Sequence, residues 1–265
     1  YARSTGMKLE DAYSILFQNL VSFCFWMENV GVSHFSSFIL SCRNFRRVTS
    51  ELDAALDKLL CFFTTAVNSL SILSRLGLWL RHIGDLTWLP RPLQTRIAQA
   101  DVCTSRWNRK TTWSVAAAYN TRHNAKLMVL DFAKAVKDGV IESNDITADL
   151  VDEYLSQNQS PEIQLWYRSS GEVRFSEFLV LQNGYAYIHF DPTLWPVVGF
   201  WNLVSAIFMF QLYWPKIKAV KQRHRRLSRM DTGGLDFTSA LRQRTFLSCN
   251  EMARKTKLGK LSLDT

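Results

Sequence analysis

Cysteine is scarce and unpatterned: Cys24, Cys42, Cys61, Cys103 and Cys249 are far apart, odd in number and form no CxxC pair. That argues against a disulfide framework and a structural zinc site, and makes a reducing compartment the natural setting. Glycine-rich phosphate loops of the P-loop or dinucleotide type are missing, as are HExxH and GxSxG, so the chemistries those motifs serve have no support. Low-complexity runs and internal repeats are absent too. His34, His82, His123, His189 and His224 are scattered, without a partner at metal-ligand spacing, and read as core, loop or surface histidines. The sequence opens on Tyr1 with no charged-then-apolar leader, so neither a start methionine nor a signal peptide is visible and a fragment is expected.

What is present points to a folded body with a basic tail. Of 265 residues, 47% are hydrophobic and 21% charged, enough to bury a sizeable core and too apolar for a disordered or fibrous chain. The net charge of +9 is unevenly placed. Residues 1–215 hold 19 basic and 19 acidic side chains, and residues 216–265 hold 13 and 4.

From Met7 to Asn29, apolar residues recur at the three-and-four spacing of one helical face, and Gly31 ends the helix. Residues Ser33 to Leu40 read as a buried strand, followed by a long helix from Ser50 to Leu73. The alternation continues with strands at Gly77–Ile83, Thr111–Tyr119, Ile163–Tyr167 and Ala186–Phe190. Helices are expected at Pro90–Cys103, His123–Lys137 and Ile146–Leu155. This predicts an α/β fold with a mostly parallel central sheet flanked by helices.

Such sheets bind ligands beyond the carboxyl ends of their strands. Three exits carry suitable chemistry: Ser41 to Arg47, Asn120 to His123, and Arg168 to Ser176. The last places Arg168, Arg174 and the Ser176 hydroxyl within nine residues, with Gly171 allowing a tight turn and a helix expected to begin near Arg174. Guanidinium forks and a helix N-terminus hold phosphate oxygens. Arg46 and Arg47 beside Asn44 and Ser41 supply a second cationic point, which together suit a diphosphate or two phosphorylated ligands. The plainer reading is that these arginines are solvated and the Ser-Gly turn only turns.

The block RSSGEVRFSEFLVLQ (Arg168 to Gln182), with Leu194-Trp195-Pro196 and Phe200-Trp201-Asn202 close behind, resembles the carboxy-terminal signature of the cis-prenyltransferases. SxxNFxR at Ser41, Asn44, Phe45 and Arg47, GDLxxLP from Gly84 to Pro90, and YxxRH from Tyr119 to His123 fall in that family's order and spacing. Within it the chain is most similar to eukaryotic dehydrodolichyl diphosphate synthase catalytic subunits. The resemblance implies condensation of isopentenyl diphosphate onto an allylic diphosphate, normally farnesyl diphosphate, giving long-chain polyprenyl (dehydrodolichyl) diphosphate for the dolichol pathway of protein glycosylation. Arg168, Arg174 and Ser176, with Phe175 between them, match the positions that hold isopentenyl diphosphate. Arg47 matches an arginine between the two diphosphates, and Asn44 and Ser41 match residues that position the homoallylic substrate and remove its proton. An apolar product needs an apolar tunnel, which the first two long helices, with Phe62 and Phe63, could wall; ordinary core is the alternative for those rings.

The resemblance also implies magnesium, whose main aspartate belongs to a DGNRR motif expected directly upstream of Tyr1. On this reading the first strand is missing, the chain as written would turn over poorly, and it contributes no metal ligand of its own; Tyr187 stands where bacterial relatives have a second magnesium carboxylate. A hetero-oligomer with a Nogo-B receptor-like subunit, at the cytosolic face of the endoplasmic reticulum membrane, is the further implication. A non-catalytic diphosphate-lipid-binding subunit of the same complex is the alternative.

Residues 1–213 are expected to form the prenyltransferase-like domain and 214–265 a basic helix and tail. Between Pro196 and Pro215 lie eighteen uncharged residues followed by Lys216, Lys218, Lys221, Arg223, Arg225, Arg226 and Arg229. That pattern fits a buried or peripheral helix, or a single membrane span with a basic juxtamembrane segment. The tail suits an anionic membrane surface better than nucleic acid, since no base-stacking motif or zinc module accompanies it.

Overall fold

A computed structural model describes residues 5–46, 49–106 and 109–231. Helix α1 (Leu9–Asn29) buries Phe17, Leu20, Phe23, Cys24 and Met27 on one face, and Glu10 and Asp11 sit in its first turn, where a carboxylate favours the helix dipole. Gly31, at φ +80°, turns the chain into β1 (His34–Ser41). The single helix expected over residues 50–73 is two, α2 (Thr49–Asn68) and α3 (Leu70–Arg75), because the chain leaves helical geometry at Ser69 (φ −112°, ψ 29°). Asn68 and Ser69 both compete with the helix for local backbone bonds. There follow β2 (Leu78–Ile83), α4 (Arg91–Thr104), β3 (Thr111–Tyr119), α5 (Thr121–Lys137), α6 (Ala148–Asn158), β4 (Leu165–Arg168), β5 (Tyr187–Phe190) and α7 (Phe200–Asp231).

Every strand ladder is parallel, but the strands divide between two sheets, β1-β3-β2 and β4-β5. All nine residues of β3 are buried, as its central position requires. The two sheets share their covering layers. Phe38 of β1 and Trp166 of β4 join one apolar cluster, and Phe35 and Tyr167 join another with Phe23 of α1. Among the described residues no further strand pairs with the free edge of β1 or of β4. Phe62 and Phe63 lie in the main core, Phe62 against Phe17 and Trp113, so they take the ordinary core role.

Residues 197–214 fall within the chain's long last helix and the segment just before it. Helix α7 runs through Pro215 without ending, crossing residues 213 and 214. It packs back over the smaller sheet, with Tyr213 stacked on Tyr187 and Lys221 paired with Glu162. Among the described residues no helix is long and apolar enough to cross a membrane, which removes the spanning reading for this segment.

The ends of β2 and β3 are locked together. Gly84 stands at φ +130°, and a Cβ there would lie 2.2 Å from the Ala117 carbonyl oxygen. Asp85 follows: its Oδ1 accepts from the Thr87 N–H at 3.0 Å and hydroxyl at 2.7 Å, and its Oδ2 meets His123 Nε2 at 2.8 Å. Burial pushes the Asp85 carboxyl up, but the bonds from His123 and Thr87 outweigh it and hold it below its usual value.

Gly84→Ala is expected to destabilise by about 3 kcal/mol or more, since strain and a backbone clash add; a lowered urea midpoint at unchanged slope checks it. Because the folded Asp85 titrates below its unfolded counterpart, its contribution is present above the unfolded value and is lost as pH falls through the folded one. Asp85→Asn is therefore expected to shrink the stability difference between about pH 6 and about pH 3 in urea titrations.

Candidate anion-binding site

The residues after β4 do not start a helix at Arg174, contrary to expectation. Residues 169–179 form an irregular loop with positive φ at Ser170, Gly171, Ser176, Glu177 and Leu179. Distant partners impose that shape. The Ser170 N–H donates to the Thr193 carbonyl at 2.7 Å and the Gly171 N–H to the Asp191 carbonyl at 2.9 Å. Asp191 is itself pinned, its Oδ2 accepting from the Tyr167 hydroxyl at 2.7 Å and Asn202 Nδ2 at 3.0 Å, its Oδ1 from the Thr193 N–H at 2.7 Å. The same contact raises the Tyr167 phenol far above its usual range, burial first and the Asp191 carboxylate second.

Within this loop the Arg168 guanidinium donates to the Ser176 hydroxyl at 3.0 Å. Burial lowers the Arg168 pKa, and the neighbouring Arg174 lowers it further, with Glu172 opposing. Two cations therefore meet at one strand exit, and Glu172 sits 3.2 Å from Arg174 in a solvent-exposed pair that balances little charge. The third loop residue, Phe175, is turned onto Trp166 with ring centroids 4.9 Å apart, where it anchors the loop to β4.

At the end of β1 a short 3-10 helix (Cys42–Arg46) presents the second group. Asn44 Oδ1 accepts from both the N–H and the hydroxyl of Ser41, each at 2.7 Å. The Ser41 hydroxyl thus spends its proton on Asn44, leaving oxygen lone pairs free, and Asn44 Nδ2 has no hydrogen-bond partner among the described residues. Arg47 lies outside the described residues.

Arg43 joins the two groups, its Nη2 reaching Glu177 Oε1 at 2.5 Å. The third exit is joined as well: Asn120 caps α5 by accepting from the His123 N–H at 2.8 Å, and Thr121 donates to the Glu177 carbonyl. The structure therefore gathers Ser41, Asn44, Arg168, Arg174 and Ser176 at one end of the strands. Sequence reading missed Glu177 and Thr121 as the connectors, and no local pattern marks them.

Metal ligation is a separate matter. Among the described residues no group of three or more His, Cys, Asp or Glu side chains could hold a metal ion. The carboxylates near the loop are engaged with cations or donors already, Asp85 with His123, Glu177 with Arg43 and Glu172 with Arg174.

Known proteins share this arrangement of elements. The solved structure of lavandulyl diphosphate synthase from Lavandula x intermedia, in complex with dimethylallyl diphosphate, superposes with a TM-score of 0.72 at 24% identity, covering 79% of this chain and 89% of that one. A dehydrodolichyl diphosphate synthase complex subunit from Homo sapiens is 32% identical over 266 residues, 99% of this chain and 80% of its own length. A ditrans,polycis-undecaprenyl-diphosphate synthase, (2E,6E)-farnesyl-diphosphate specific, from Vibrio vulnificus is 32% identical over 173 residues, 65% of this chain and 67% of that one. The prenyltransferase family model for undecaprenyl diphosphate synthase matches residues 1–216. With the fold, the strand-exit cations and the matched length in agreement, the chain belongs to the undecaprenyl diphosphate synthase family of prenyltransferases.

Proposed function

We propose that the chain condenses isopentenyl diphosphate with an allylic diphosphate, farnesyl diphosphate, to build long-chain polyprenyl (dehydrodolichyl) diphosphate. The observation that carries this reading is the crowded Arg168–Ser176–Arg174 group, which gains most from a multiply charged anion. In this reading Arg168, Arg174 and Ser176 grip the diphosphate of isopentenyl diphosphate. As the allylic carbon–oxygen bond breaks, fixed cations stabilise the departing diphosphate. The homoallylic alkene then attacks the allylic cation, and loss of one proton from the condensed intermediate leaves the new cis double bond. Ser41, hydrogen-bonded to Asn44, can relay that proton through its oxygen to a diphosphate oxygen of the substrates, and the Asn44 amide orients the substrate. Magnesium, which the family resemblance implies, would neutralise diphosphate charge; we assign it no ligand among the described residues.

Function at a membrane surface, at the cytosolic face of the endoplasmic reticulum, is part of the same proposal, and a lipid product and the exposed stripe of α7 support its membrane part. Trp201, Phe208 and Leu212 are 77%, 63% and 59% exposed and recur at seven- and four-residue intervals on one face. Lys216 and Arg223 continue the same four-and-seven stripe and are also exposed. Apolar residues continued by cations suit an anionic lipid interface. A hetero-oligomer with a Nogo-B receptor-like subunit is part of the proposal, supported by the human relative's description as a complex subunit.

Two measurements test this. With the full-length chain and its presumed partner, Arg168→Ala is expected to raise KM for isopentenyl diphosphate by about ten- to a hundredfold, with Arg168→Lys restoring only part. An unchanged KM rejects the site. Replacing Trp201 and Phe208 by Glu is expected to cut co-sedimentation with phosphatidylserine-rich vesicles by about tenfold or more while leaving the urea midpoint in place.

A further inference from the structure

Glu177 is where three strand exits meet. Its carbonyl oxygen accepts from both the N–H and the hydroxyl of Thr121, each at 2.8 Å, which ties it to the end of β3. Its carboxylate holds the Arg43 guanidinium, which reaches back to the end of β1. Ser176 and Glu177 stand at φ +51° and +59°, conformations that non-glycine residues keep only when surrounding contacts over-determine them. Arg43 directly precedes Asn44, and Glu177 directly follows Ser176, so this one ion pair spans the two candidate site groups.

Energetically the carboxylate is badly placed for any other purpose. A negative charge next to an anion-binding loop weakens anion binding by repulsion. Its Oε2 is buried without a hydrogen-bond partner among the described residues, which costs desolvation. The ion pair recovers little, because the Arg43 side chain is 75% exposed.

We propose that the Arg43–Glu177 pair is a latch that fixes the separation between the Ser41–Asn44 pair and the Arg168–Ser176 pair, with Glu177 a positioning residue that touches no substrate. The proposal rests on the prenyl-transfer reading. It specifies that the proton-accepting oxygen and the diphosphate grip, carried on different strands, are brought into register by a bond between their immediate neighbours.

The latch and simple electrostatics predict opposite signs. Glu177→Gln removes a negative charge while keeping the side chain's shape and its backbone bonds to Thr121. If charge alone matters, isopentenyl diphosphate binds more tightly to this variant. If the latch matters, calorimetric Kd for isopentenyl diphosphate rises by about three- to tenfold, and kcat falls by about tenfold or more as the reacting atoms lose register. Arg43→Gln is expected to act in the same direction, and the double variant is expected to be no weaker than either single one, because each discharges the same ion pair. Unchanged or tighter binding in Glu177→Gln, or single effects that oppose each other and add, overturns the latch. Arg168→Ala is the control. If it weakens binding while Glu177→Gln does not, the latch alone is wrong; if Arg168→Ala leaves binding unchanged, the prenyl-transfer site falls and the latch with it.

Discussion

Arg168 ends β4 and Arg174 lies in the irregular loop behind it; burial lowers the Arg168 pKa and Arg174 lowers it further, a repulsion that has to be contained. The loop contains it by anchoring its backbone elsewhere. Ser170 and Gly171 are bonded to residues 193 and 191, Glu177 to Thr121, and Phe175 is packed on Trp166. On the proposed reading, such anchoring leaves the loop with a preference for a bound diphosphate. A loop free to relax would swing the arginines apart into water and lose that preference.

Parallel strands make the arrangement possible. With every ladder running the same way, the carboxyl ends of β1, β2, β3 and β4 can carry their polar residues to one end while the buried faces supply rigidity. Gly84 lets β2 approach β3 more closely than any side chain would permit, and Asp85 then grips His123 at the start of α5. Positive φ values cluster in the loop after β4, where hydrogen bonds to Thr121, Asp191 and Thr193 hold them.

Much of this was legible in sequence because periodicity and spacing are local. Strand β3 falls at Thr111–Tyr119 as its buried run implies, and α1 follows its three-and-four stripe. The sequence showed Arg168 and Ser176 eight residues apart across a turn, and the structure bonds them to each other. Two features were not. The break at Ser69 turns on one residue's backbone angle within an otherwise helical pattern. The loop at 169–179 looked like a helix start because its residues suit one, whereas its shape is dictated by Thr121, Asp191 and Thr193. Arg43 and Glu177 are 134 positions apart, so no local pattern could pair them.

The absence of a glycine-rich phosphate loop and the shape of this site have a common explanation. In a glycine-rich loop, backbone N–H groups cradle the phosphate and side chains only assist. Here the N–H groups of Ser170 and Gly171 at the loop's turn are already committed to carbonyl oxygens within the protein. On the proposed reading, recognition falls to the guanidinium forks and a hydroxyl, whose directions are set by side-chain packing. A backbone cradle tolerates changes of neighbouring side chains, but a fork held by a hydroxyl does not: replacing Arg168 by lysine keeps the charge and discards the planar geometry that matches two phosphate oxygens at once. Positional accuracy must then come from the contacts that fix the loop. On the proposed reading, that places the burden on the connectors between strand exits, Thr121–Glu177 and Arg43–Glu177.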